Sequence, residues 1–141
     1  MRRIALVTGM FVLGLVLVMS DVRAQSKVDL DATMKKVGPA FAAVRKGMDA
    51  MDATTTKAQS ETLEKLFDDV EDFFESRGKH DAHQWASDAK KLADAIDKAA
   101  GDSKWDEVKA SVGNLQKTCA TCHGTYREKA EDGTFRMKPG N

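Results

Sequence analysis

The sequence has no surplus of charge, since 22 basic residues face 22 acidic ones and the 141-residue chain is formally neutral. Nucleic acid and anionic membrane surfaces are met through a basic excess, so neither partner is implied. Runs of β-branched residues are nearly absent beyond residue 24, which leaves no strand pattern to compete with helices. No internal repeat or low-complexity linker divides the chain. Cysteine is scarce as well: there are two, both in one short stretch near the C-terminus.

A long apolar run occurs only at the start. Arg2 and Arg3 precede apolar residues 4–19, and Val22-Arg23-Ala24 supplies a small-residue cleavage site. The run is shorter than the roughly 20 residues a spanning helix requires, so residues 1–24 read as a secretory signal peptide, with no stable membrane insertion after cleavage. Export to a bacterial periplasm follows. Removing this segment takes three arginines and one aspartate from the balanced total, leaving a mature chain from Gln25 with net charge −2. Its length suits one domain.

What remains is rich in Ala, Lys, Asp and Glu and carries four segments of helical period. In the first, Leu30, Met34, Val37, Phe41, Val44, Met48 and Met51 recur at steps of 4 and 3, a heptad seam that must be buried. Pro39 lies inside it, where a kink is expected, and Gly38 beside it would admit a close neighbour. The second segment opens on the capping box Thr56-Lys57-Ala58-Gln59, turns Leu63, Leu66, Phe67, Val70, Phe73 and Phe74 inward and ends at Gly78. The third runs from Asp81 to Gly101 with Ala82, Trp85, Ala89, Leu92, Ile96 and Ala99 on one face. The fourth is capped by Asp102 or Ser103 and places Trp105, Val108, Val112, Leu115, Cys119, Cys122 and Tyr126 on a seam.

Short turns near residues 53–56, 77–80 and 101–102 favour antiparallel neighbours. The expected fold is all-α: an up-down-up-down four-helix bundle over residues 25–131, followed by a flexible C-terminal tail over 132–141.

Cys119-Ala120-Thr121-Cys122-His123 carries the chemistry. Two thiols three residues apart can each add to one vinyl group of a haem, and the adjacent histidine can give an imidazole nitrogen to its iron. Both cysteines fall on the buried seam, which would put such a haem inside the bundle. Three other readings compete. A thioredoxin-like pair wants a strand and a βαβ surround, which the sequence lacks. An intrahelical disulfide would tie only neighbouring turns. A zinc set of Cys119, Cys122, His80 and His83, stabilising an interaction protein, is the best rival, though it leaves His123 without a role.

The stretch Thr118-Cys119-Ala120-Thr121-Cys122-His123-Gly124-Thr125-Tyr126-Arg127 resembles the class II c-type cytochromes, the cytochrome c′ family and its low-spin relatives. The resemblance covers essentially the whole mature chain. It implies one covalent haem c held at Cys119 and Cys122, His123 as proximal ligand, and Arg127 matching a basic residue over the proximal side of the haem. Matching Met34-Lys35-Lys36-Val37-Gly38-Pro39-Ala40-Phe41 to the family puts Met34 at the distal position, where a methionine closes the iron and Leu, Phe or Tyr leave it five-coordinate. An arginine common four residues earlier is Leu30 here, which leaves Lys27 or Lys35 as partner for a propionate.

On its own, Met34 in an apolar stripe reads more readily as packing than as ligand. Met48 and Met51 stand about 21 and 25 Å further along a helix at about 1.5 Å per residue, too far to share an iron with Met34, and are read as core. Tyr126 and Trp105 read as packing residues, and His80 and His83 as solvated. With His123 and Met34 as axial ligands the chain would be a periplasmic electron carrier, not an enzyme, meeting other redox proteins. With an open distal face it would bind diatomic gases, nitric oxide or carbon monoxide. The resemblance also allows a homodimer through the first two helices.

Overall fold

A computed structural model describes residues 28–140, so the expected signal peptide and Lys27 lie outside the described residues. Four helices follow one another: α1 (Leu30–Asp49), α2 (Ala53–Glu75), α3 (His80–Gly101) and α4 (Trp105–Tyr126). Connections of three or four residues fold each helix back on its predecessor. α1 packs on α2, α2 on α3 and α3 on α4, while α4 closes on α1 with only a light contact. The result is the four-helix bundle expected from the periodicity.

The heptad seams form the core. Val37 and Val44 come from α1, Leu63, Phe67, Val70 and Phe74 from α2, Ile96 from α3, and Val108, Val112 and Leu115 from α4, all buried. α3 faces its neighbours largely with alanine: Ala82, Ala86, Ala89, Ala93, Ala99 and Ala100 are all buried. Methyl groups in place of longer side chains let α2 and α4 come close and save the rotamer entropy larger residues would lose.

The ends differ from expectation in four places. α2 begins at Ala53, three residues before the capping box, because the Asp52 carboxylate accepts from Thr55 N at 3.1 Å and Thr55 Oγ1 at 2.6 Å. Thr56 then lies inside the helix, its hydroxyl donating to Asp52 O at 2.7 Å. The turn before α2 puts Met51 at φ 50 and 67% exposed, so Met51 is not core. α4 starts after Lys104 with no side-chain cap, Ser103 having taken a turn conformation at φ 58.

Pro39 is accommodated within α1, with Pro39 and Gly38 on the exposed face. No neighbour approaches within 4 Å of where a Gly38 side chain would begin, so the close approach expected there does not occur.

The fourth difference concerns the C-terminus. Instead of a flexible tail from residue 132, Arg127–Lys129 (β1) and Phe135–Met137 (β2) pair as an antiparallel hairpin, with Glu128 opposite Arg136. Gly133, at φ 84, lets the chain turn, and Ala130 N donates to Thr134 O at 2.8 Å. Lys138 fastens the returning strand to the end of α4: its backbone N–H donates to Tyr126 O at 2.9 Å and its Nζ to Gly124 O at 2.7 Å. These bonds occupy carbonyls that a helix C-terminus leaves without partners.

Candidate functional site

α4 carries the two cysteines at a spacing of three, so both lie on its inward face, half-buried and unpaired. His123 follows on the same turn, also half-buried. These three side chains line one cleft with Thr118 from α4, Met34 and Val37 from α1, Phe67 and Val70 from α2, and Trp85, Ala86 and Ala89 from α3. Four helices thus contribute to one site. The cleft is partly open to solvent. Its walls are almost wholly apolar, and the Thr118 hydroxyl is turned away to Asn114 O at 3.2 Å.

Burial sets the protonation of the sulfur and nitrogen groups. It pushes the Cys119 thiol up, and it carries the Cys122 thiol up to about 11, with smaller contributions from Cys119 and the Asp81 carboxylate. His123 moves the other way: burial, then the Arg127 charge, lower its pKa and favour the neutral imidazole. A neutral imidazole has the free lone pair that a metal requires.

The donor set suits a haem better than a zinc ion. A structural zinc ion needs a closed set of four ligands. Among the described residues no group of three or more His, Cys, Asp or Glu side chains is placed to hold a metal ion, so His80 and His83 do not complete a set with the cysteines. His80 is exposed and His83 half-buried at the start of α3. A flat apolar macrocycle, by contrast, needs greasy walls, two neutral thiols on one face and an imidazole beside them. Ala86 and Ala89 contribute only methyl groups to the α3 wall.

Of the other residues singled out by sequence, Met34 reaches the cleft, half-buried, while Met48 and Met51 do not. Arg127 does not line it. As the C-cap of α4, Arg127 donates its backbone N–H to His123 O, and its guanidinium lies over the Phe135 ring at 4.0 Å, so only its charge reaches the imidazole. Phe135 belongs to the hairpin that sequence reading left out. Lys35 is exposed and paired with Asp31 at 2.6 Å, outside the lining, as is Leu30.

Sequence reading did not identify Ala86 or Thr118 as lining residues, although both sit one position off a stated seam. It also missed the role of Asp81. Tyr126, buried at the base of the site, donates its hydroxyl to Asp81 Oδ1 at 2.6 Å. Nothing in a sequence separation of 45 residues announces that pairing.

No curated protein and no solved structure gives a match to the chain. The family model described as cytochrome c′ matches residues 21–127, which takes in all four helices, the cysteine pair and His123. With its four-helix bundle and its apolar cleft of thiols and imidazole, the chain belongs to the cytochrome c′ family of haem c-binding cytochromes.

Proposed function

We propose that the protein is a monohaem electron carrier of the bacterial periplasm, with haem attached covalently through Cys119 and Cys122 and its iron held by His123 and Met34. The observation that carries this reading is the presence of Met34, from α1, in the cleft that α4 lines with Cys119, Cys122 and His123. A haem bound there supplies a one-electron couple, and a thioether ligand favours its ferrous state relative to a second histidine.

The chain's own residues do the rest. Cys119 and Cys122 tether the group at two points on one helix face, and His123 gives a neutral nitrogen. Val37, Phe67 and Val70 keep water from the group, which holds the local dielectric low. Cycling between oxidation states makes and breaks no bonds, so the chain acts as a carrier and its partners are other redox proteins of the same compartment. Residues 1–24 supply the export signal. Among the described residues no helix is long and apolar enough to cross a membrane.

The test is the absorption spectrum of the exported protein, oxidised and reduced, with and without carbon monoxide. Low-spin bands in both states and slow carbon monoxide uptake are expected, and Met34→Ala should speed that uptake by at least tenfold. A high-spin ferric spectrum with prompt carbon monoxide binding in the unaltered protein would overturn Met34 ligation and make the protein a gas binder.

A further inference from the structure

Tyr126 and Asp81 join the two helix ends nearest the cysteine pair. Tyr126 stands three residues after His123 and four after Cys122, hence one turn below both on α4. Its ring is buried, edge-on to Phe74 at 5.2 Å and to Trp85 at 6.3 Å. Trp85 also lines the cleft, so the tyrosine ring and the cleft share a wall.

Asp81 meets the tyrosine from the first turn of α3. Its Oδ1 accepts the Tyr126 hydroxyl at 2.6 Å and the Ala82 N–H at 2.9 Å, two bonds that fix where the carboxylate sits. A carboxylate is favoured at a helix N-terminus, so the charge is stable there. The bond to Tyr126, four residues after Cys122, brings that carboxylate to the turn of α4 next to the cysteine. Neither residue carries out any step of the electron-carrier reading.

We propose that Tyr126 and Asp81 are a positioning pair that orients His123 through the last turn of α4 and holds one negative charge beside the Cys122 end of the cleft, lowering the reduction potential of the haem bound there. The proposal rests on the haem reading of the cleft. Its physical basis is that a metal site is tuned by the groups that orient its ligands and by fixed charge nearby. A negative charge near the iron stabilises the ferric state.

Two substitutions separate the parts. Asp81→Asn keeps an oxygen that can accept from Tyr126 and Ala82 but removes the charge. Tyr126→Phe keeps the ring against Phe74 and Trp85 but removes the bond that ties the end of α4 to the carboxylate. The measurements are the reduction potential and ferric spectrum of the haem-loaded protein, with thermal melting as the control for fold.

Asp81→Asn is expected to raise the potential with ligand bands unchanged, increasing the ferrous to ferric ratio at fixed poise by roughly threefold to tenfold, the upper figure being about 59 mV for a one-electron couple. Because Asp81 is exposed, that difference should shrink as salt is added. Tyr126→Phe keeps the charge and should move the potential less, but should shift the ferric bands that report His123 orientation. If haem is bound and both variants keep the parent potential and spectrum, whatever happens to their melting, the pair is only a structural tie and the proposal fails. A parent protein that carries no haem overturns the haem reading and the proposal with it.

Discussion

Ala89→Leu should have opposite effects on the empty and the loaded protein. Ala89 is 2% exposed and lines the cleft from α3, where a small side chain leaves room. Leucine adds three carbons. In the empty protein they can enter the cleft and bury apolar surface, worth up to about 2.4 kcal/mol at about 0.8 kcal/mol per carbon. In the loaded protein the same volume is taken by the haem, and overpacking of this kind costs about 1–3 kcal/mol. The empty state is reached by combining the substitution with Cys119→Ala and Cys122→Ala, and its melting temperature is compared with that of the Ala89 counterpart. Haem content of the exported single variant is measured in parallel. A higher melting temperature and a lower haem content are expected together. A variant that loads haem as well as its parent would show that the group does not lie against α3, and the cleft would lose its assignment.

Two further outcomes follow from the geometry. Replacing both Cys119 and Cys122 with alanine should abolish haem that survives acid extraction, and covalent haem persisting in that variant would remove the attachment reading. Gly47→Ala should destabilise the bundle by about 1–2 kcal/mol in chemical denaturation, the clash outweighing the helix propensity gained. The new Cβ would lie 2.6 Å from Thr56 Oγ1 and 3.1 Å from Thr56 N, and Thr56→Ala in the same chain should recover part of the loss by removing the nearer atom.

How legible the fold was depends on which interaction fixes each part. The seams of α1 and α4 were readable because burial repeats with the helix, and Val37, Val44, Val108, Val112 and Leu115 all arrive in the core. Helix starts were less so. Thr56-Lys57-Ala58-Gln59 has the residue types of a capping box, but the Asp52 carboxylate captures the Thr55 N–H first and the helix nucleates one turn earlier. Met51 matched the α1 repeat and still faces water, since that helix ends at Asp49 and the turn reverses the chain.

The hairpin carried its own mark in Asp132-Gly133, a turn dipeptide, with the alternating residues Phe135 and Met137 after it. Strands of three residues gave too little period to weigh against the polar surroundings. At the site, Cys119, Cys122 and His123 announced themselves through spacing alone. The Asp81–Tyr126 bond could not, because it depends on how α3 and α4 are juxtaposed.

The light seam between α1 and α4 sets how this molecule breathes. α1 is held by α2 and α4 by α3, whereas α1 and α4 barely touch. The cheapest partial opening is therefore a parting of α1 from α4, at a fraction of the cost of global unfolding. That motion would draw Met34 and Val37 apart from Cys119, Cys122 and His123 while the α1–α2, α2–α3 and α3–α4 packing stays in place. The two faces of the cleft are thus coupled mainly through α2 and α3, so substitutions that loosen those two helices should register in the spacing between Met34 and His123 before they register elsewhere.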